Sequence, residues 1–312
     1  MSTSKNKLKL KPHFIKILSL LSVIRGYNIL ILMIAQYLGA IFIFSPKKSI
    51  KHVLLDTHLL YIVASSIFVV AGGYIINNFY DEKADSINRP LKSSIDKYTK
   101  EETKLALYFM FNVLAVILGL LVSYRAALFF AAYIFLIWLY SHKLKKYPFT
   151  GIIAVTLLTV MPFFSIFIYY KNFSSMIFLY ALFLFLVIMI RELIKNLENI
   201  NGAIISNYKT FPLVYGERRT KIVALILSIT SIIPITVLLK NAALGAMEIY
   251  FYVAIFTLLF VGIYVLYASS RSAYRLLHNI LKILILIGVF SIIFMDPSLI
   301  IEKLITKIQT VY

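Results

Sequence analysis

The chain has 312 residues, 61% of them hydrophobic and 14% charged, against roughly 25% charged in an ordinary soluble domain. Its mean hydropathy of +0.88 excludes a cytosolic enzyme and a disordered chain, and the absence of cysteine excludes a disulfide scaffold, thiolate metal sites and cysteine nucleophiles. The net charge of +19 reads as Lys and Arg held in the inner loops of a membrane protein rather than as a nucleic-acid surface.

Apolar runs of spanning length recur throughout, and the short alternating segments of a membrane β-barrel are missing. The fold class is therefore all-α, a polytopic membrane protein of about nine spans forming one domain over 1–312. The basic segment 1–16 superficially resembles a signal peptide. No small-residue cleavage site follows it, and the apolar run continues to Phe44, so it reads as a retained first span. In chain order the spans are Ile17–Phe44, Leu59–Ile76, Thr103–Val122, Ala126–Tyr140, Phe149–Tyr170, Ser175–Ile190, Ile222–Leu239, Ile249–Ala268 and Leu281–Met295, the last being the shortest. With the N-terminus inside, 23 of the 32 Lys and Arg fall in inner segments, 8 in outer ones and Arg25 within a span. That bias orients the N-terminus to the cytoplasm and the C-terminus outside, in the inner membrane if the source is bacterial.

Two inner loops are long, 77–102 and 191–220, and hold nine of the thirteen acids. They follow the second and sixth spans. Their openings, IINNFYDEK and LIKNLENIN, hint at a duplicated four-helix unit. In the first segment Asn77, Asp81 and Asp85 are spaced by four. If the helix continues, they share one face, and two carboxylates with an amide oxygen suit Mg²⁺, a hard cation that leaves positions for water and phosphate. A solvated helix end is the plain alternative, but an i, i+4 Asp pair repels itself without a cation. Arg25, with Asn28 one turn on, lies about a third of the way into an apolar span, where it either snorkels or meets an anionic group. Tyr140, Ser141 and Lys143 end the fourth span, either as a positive anchor or as part of the same inner pocket. Taken alone, Arg191–Ala203 is a polar helix end with a weak claim on metal. The histidines His13, His52, His58, His142 and His278 show no ligand spacing and read as surface residues. The 22 Tyr and 24 Phe read as interface belts and packing, some of them lining a cavity for an isoprenoid chain.

With these residues set in order, the sequence resembles the UbiA superfamily of intramembrane prenyltransferases over nearly its whole length. Arg25 and Asn28, GYIINNFYDEKADSINRP, YSHKLKK and RELIKNLENINGAIISNYKTFPLVYGE occur in that order. The wording of the last resembles the geranylgeranylglycerol-phosphate geranylgeranyltransferase branch more than the quinone branches. The resemblance implies a nine-helix bundle that binds a polyprenyl diphosphate through Mg²⁺ and two Asp-rich motifs. The prenyl group then passes to an aromatic ring or a hydroxyl acceptor. It implies metal ligation by Asn77, Asp81, Asp85, Glu198 and Asn196. It further implies diphosphate contacts from Arg25, Asn28, Asn77, Arg89 and Ser141, and catalytic roles for Asp81, Asp85, Lys143 and Tyr140. The chain departs from the family in two places. Asn78 stands where many relatives have Asp, and Asn196, Asn199 and Ala203 stand where Asp is usual in the second motif.

Two other classes remain at this point. One is an inactive relative that binds prenyl lipid or a partner protein, which the amides of the second motif favour. The other is a transporter, for which only Pro162 and Pro234 interrupt a span near its middle.

Overall fold

A computed structural model describes residues 12–46, 48–241 and 243–295. The basic segment 1–11 and the outer lysines Lys47, Lys303 and Lys307 lie outside the described residues, as does the side chain of His13. Every regular element in the described residues is helical. In chain order these are α1 (Pro12–Val23), α2 (Gly26–Leu38, continued by a π-helical turn Gly39–Phe44), α3 (Ile50–Leu54), α4 (Thr57–Asn88) and α5 (Pro90–Asp96). Next come α6 (Glu101–Val122), α7 (Tyr124–His142), α8 (Pro148–Tyr170), α9 (Ser175–Glu198), α10 (Ile200–Ile205) and α11 (Phe211–Tyr215). The chain continues through α12 (Glu217–Thr230), α13 (Ile232–Asn241), α14 (Glu248–Tyr267) and α15 (Arg271–Ser291). Among the described residues nine helical stretches are long and apolar enough to cross a membrane.

Local chemistry sets the helix ends. Asp56 caps α4, and Ser123, Ser174 and Ser270 cap α7, α9 and α15 by accepting from the first-turn N–H groups. Each cap satisfies an otherwise orphaned donor. Pro148 opens α8 at a position that needs no N–H. Pro162 lies inside α8, and the fourth carbonyl back, Leu158 O, loses its helical donor. The buried Tyr133 hydroxyl supplies one at 2.8 Å, so the helix runs on, as buried backbone at membrane depth requires.

Two expectations need correcting. The first span is not continuous: α1 ends at Val23 and α2 begins at Gly26, with Arg25 between them at φ 51°, ψ 55°. This left-handed conformation is uncommon for a residue with a Cβ. The two long inner segments also do not open as loops. α4 continues to Asn88 and α9 to Glu198. At about 1.5 Å per residue α4 is about 48 Å long, well beyond a hydrocarbon core of about 30 Å. Its last three turns therefore carry the first motif past the apolar layer.

The packing repeats. α4 packs on α6, and α6 on α7; α9 packs on α12, and α12 on α14. α4 and α9, at the same place in each set, hold the two motifs, and α15 closes against α9. α10 lies on the end of α4. That approach depends on Gly202, where a Cβ would fall 2.1 Å from the Asn88 amide nitrogen. Outward faces carry large apolar side chains, such as Phe109, Val113 and Leu120 of α6 and Phe256 and Ile263 of α14, the surface a lipid bilayer covers.

Candidate active site

A cavity of about 450 Å³ opens at the motif end of the bundle, between the ends of α4 and α9. α2, α7, α8 and α15 complete its wall. The cavity has two zones. Its inner part is apolar, lined for example by Leu32, Val70, Ile137, Leu158, Phe163 and Leu286. Its mouth is polar and rich in cations: Arg25, Arg89, Arg191, Lys195 and Lys282 line it, against Asp81, Asp85 and Glu192.

The α4 wall follows from helical spacing. Asn77, Asp81, Asp85 and Asn88 all line the cavity, successive positions on one face. Asp81 accepts from Lys145 Nζ at 2.7 Å, from the Tyr208 hydroxyl at 3.1 Å and from Asn77 Nδ2 at 2.7 Å. Lys145 also donates to Asn77 Oδ1 at 3.2 Å. Asn77 is thus a bridge between Asp81 and Lys145, with both ends of its amide engaged. Burial, and then the Asp81 carboxylate, push the Tyr208 phenol above its ordinary pKa, so it stays protonated and donates. Asp85 has no hydrogen-bond or ion-pair partner among the described residues, and Asn88 Oδ1 is buried without one.

After α7 the lysine that contacts the site, through Asp81, is Lys145 and not Lys143. After α7 the chain tightens into a 3₁₀ turn, Leu144–Lys146. This turns Lys145 inward, 8% exposed, and leaves Lys143 exposed and off the cavity. Tyr140 and Ser141, one turn earlier, do line it, and the Ser141 Oγ is buried without a partner. Arg25 and Asn28 line it too. The Arg25 guanidinium lies 4.9 Å from the centre of the Tyr74 ring, and Asn28 Nδ2 donates to the Tyr74 hydroxyl at 3.2 Å.

The α9 wall presents Arg191, Glu192, Lys195, Asn196 and Asn199, with Ala203 of α10 beyond. These recur at helical spacing. Glu198, two residues after Asn196, is rotated about 200° away from it and does not line the cavity. It accepts instead from Arg275 Nε at 3.1 Å and pairs with His278 Nδ1 at 2.9 Å, both on α15. Two expectations therefore change: Glu198 is not at the cavity, and His278 is buried at 8% exposure rather than on the surface. Glu192 does face the cavity, but its two oxygens are taken by Lys195 Nζ at 2.7 Å and Arg191 at 3.4 Å.

Asn78 is also off the cavity. Its Nδ2 donates to Asp96 at 2.9 Å, and its Oδ1 accepts from Lys104 at 3.1 Å. Asp96, itself 3% exposed, also accepts from Ser22 at 2.6 Å and from Lys92. This cluster fastens α1, α5 and α6 to α4. Sequence reasoning missed Lys145, Tyr208, Asn88 and Lys282 as site residues and left Arg191 and Lys195 unassigned. The i, i+4 series through Lys195 and Asn199 was a usable signal; Tyr208 and Lys282 arrive by tertiary packing and gave none.

Among the described residues no group of three or more His, Cys, Asp or Glu is placed to hold a metal ion. The oxygens available to a hard cation are the carboxylates of Asp81 and Asp85, the unpartnered buried amide oxygens of Asn88 and Asn199, and the Asn196 amide at the cavity wall. That set fits Mg²⁺, which takes one or two carboxylates and fills the remainder with water and phosphate.

A nine-span bundle with a charged mouth over a buried apolar channel is built for an amphiphile with an anionic head. Comparison with known proteins agrees. The UbiA prenyltransferase family model matches residues 21–292. Digeranylgeranylglyceryl phosphate synthase of Methanobrevibacter smithii is 29% identical over 217 residues, 66% of this chain and 72% of that protein. The synthase of Saccharolobus solfataricus is 28% identical over 232 residues, 69% and 77% of the two chains. Among solved structures, one concerned with digeranylgeranylglyceryl phosphate synthase in membranes superposes with a TM-score of 0.69 at 20% identity, covering 90% of this chain and 98% of the other. A UbiA homologue from Archaeoglobus fulgidus bound to GPP and Mg²⁺ gives 0.64 at 16%, covering 88% and 99%. The chain belongs to the UbiA prenyltransferase family: it is a multi-pass integral membrane enzyme of the prenyltransferase class.

Proposed function

We propose that the protein transfers a polyprenyl group from a polyprenyl diphosphate to the hydroxyl of a glycerol-phosphate lipid acceptor. The observation that carries this is the two-zone cavity, an apolar channel beneath five cationic side chains. The relatives' names point to a glycerol-phosphate acceptor rather than an aromatic ring.

Asp81 and Asp85, with Asn88 and Asn199, are the residues that would hold Mg²⁺. Bound there, the ion would neutralise diphosphate charge and improve it as a leaving group. Arg25, Arg89 and Lys282 place further positive charge where the negative charge of the departing group grows. Lys145 and the Tyr208 hydroxyl hold the Asp81 carboxylate in one orientation. The apolar channel buries the isoprenoid tail and keeps water from the reacting carbon. The acceptor oxygen attacks that carbon, the carbon–oxygen bond to diphosphate breaks with its electron pair leaving on the diphosphate, and the acceptor's proton passes to the departing diphosphate or to water at the mouth.

The deciding experiment is a membrane assay with radiolabelled geranylgeranyl and farnesyl diphosphates, Mg²⁺, and a panel of glycerol-phosphate lipid and hydroxybenzoate acceptors. An ether-linked lipid product is expected. Product on the aromatic acceptor alone overturns the acceptor assignment. A binding-only relative, the reading that the amides of α9 favour, retains donor and forms no product. The motif end is assigned to the cytoplasm from the Lys and Arg bias. Cysteines introduced at the exposed positions Ser94 and Lys209 should both label from the inner side, in a chain with no native cysteine to interfere.

A further inference from the structure

The two walls of the cavity have opposite chemistry. On α4, Asp85 offers a carboxylate with no partner among the described residues, next to Asp81. On α9 no carboxylate is open. Both oxygens of Glu192 are engaged by Lys195 and Arg191, Glu198 faces α15, and the remaining lining positions are Asn196, Asn199 and Ala203. A divalent cation finds anionic ligands on one wall only. Neutral amide oxygens alone bind a hard cation weakly.

The cations of the α9 wall, by contrast, have capacity to spare. Lys195 has three N–H donors and uses one; Arg191 has five and uses one. The Arg191 Nε is buried with no partner, as is the Thr210 Oγ, and both residues line the cavity. Ser141, 1% exposed, also leaves its hydroxyl unpartnered there. Buried donors left unpaired are costly, and a phosphate oxygen would satisfy them. Glu192 is then a positioning residue: it fixes two cations at the wall while consuming only one donor of each.

We propose that the protein holds a single divalent cation, on Asp81 and Asp85, and that the α9 wall binds the second phosphate of the substrate directly through Lys195 and Arg191. This rests on the prenyl-diphosphate reading above. It predicts a diphosphate that is bound asymmetrically, metal-bridged on one side and hydrogen-bonded to the protein on the other.

The test counts metal rather than turnover. Purified protein in lipid nanodiscs is titrated with Mn²⁺ in the presence of geranylgeranyl thiolodiphosphate, a non-reacting analogue, and free Mn²⁺ is read by EPR. One bound Mn²⁺ per chain is expected in the wild type, and none in Asp85→Asn. In EDTA the analogue should still bind measurably, and Lys195→Gln should weaken that metal-free binding about tenfold, the worth of one charge-assisted hydrogen bond. Lys195→Arg, which keeps the charge, should weaken it less. The double variant Asn196→Asp/Asn199→Asp should take up a second Mn²⁺. Two Mn²⁺ in the wild type with tight analogue binding overturns this proposal and leaves the prenyl-diphosphate reading standing. So does metal-free binding that is indifferent to Lys195→Gln. Failure of the analogue to bind with or without metal overturns both. Because the wild-type count needs no variant, a misfolded substitution does not blunt the result.

Discussion

The ends of α4 and α9 occupy equivalent places in two similarly packed sets of helices, and both run past the apolar layer. Yet they handle charge in opposite ways. The α4 end keeps an unpartnered carboxylate, Asp85, and ties its other one, Asp81, to a buried lysine. The α9 end has its one cavity-facing acid locked between two cations and amides elsewhere. A duplicated scaffold does not dictate duplicated chemistry. A helix terminus that projects into a shared cavity can serve as a cation site or as an anion site. The choice depends on whether its acids are free or neutralised.

The largest way to break this contrast is to remove the open carboxylate. Asp85→Asn should lower prenyl transfer at least about a hundredfold, the scale of losing one charge-stabilising group at a reacting centre, with thermal unfolding little changed because Asp85 has no partner among the described residues. Asp81→Asn should abolish turnover as well, but for mixed reasons. It leaves the buried Lys145 ammonium with the Asn77 amide oxygen but no counter-charge, and breaking such a buried pair costs about 3–5 kcal/mol. The double variant Asp81→Asn/Lys145→Gln should recover thermal stability and remain inactive. Stability without any recovery in the double variant would show that Lys145 is not paired as described.

A comparable contrast separates two neighbouring lysines. Lys145→Gln should reduce transfer strongly, since it frees Asp81, Asn77 and the Tyr208 ring together. Lys143→Gln should leave the rate within about twofold, as exposed substitutions away from such contacts usually do. Equal effects from the two would overturn the assignment of Lys145 as the partner of Asp81.

Smaller effects sharpen the α9 side. Asn196→Asp adds a carboxylate at a cavity-lining position and should raise apparent Mg²⁺ affinity or leave it unchanged, measured as transfer against Mg²⁺ concentration. Glu198→Gln should leave that Mg²⁺ dependence where it is. It should instead lower thermal stability by about 1–3 kcal/mol, the cost of weakening charged hydrogen bonds to Arg275 and His278. A shifted Mg²⁺ dependence would return Glu198 to the metal site.

Much of the architecture was legible because membrane insertion is a one-dimensional constraint. A helix must be apolar for its full crossing, so all nine spans could be read as runs between charges. The break at Arg25 was not visible, because a single left-handed residue leaves no mark on an apolar run. The continuation of α4 and α9 past the membrane was open from sequence, since polar residues are compatible with either a helix or a loop there.

At the site the sequence determined what spacing along one helix can determine. Asn77, Asp81 and Asp85 had to share a face if α4 continued. The same arithmetic places Arg191, Lys195 and Asn199 together. Tertiary structure decided everything that depends on which way a side chain points after a turn, or on what a distant helix brings to it. It set Lys145 rather than Lys143 beside Asp81, brought Tyr208 to the same carboxylate, sent Asn78 to Asp96, and locked Glu198 onto α15. The physical reason is that a charge's role is set by its partner and its burial, and in a bundle whose loops fold back over the helix ends those partners lie up to 127 residues away.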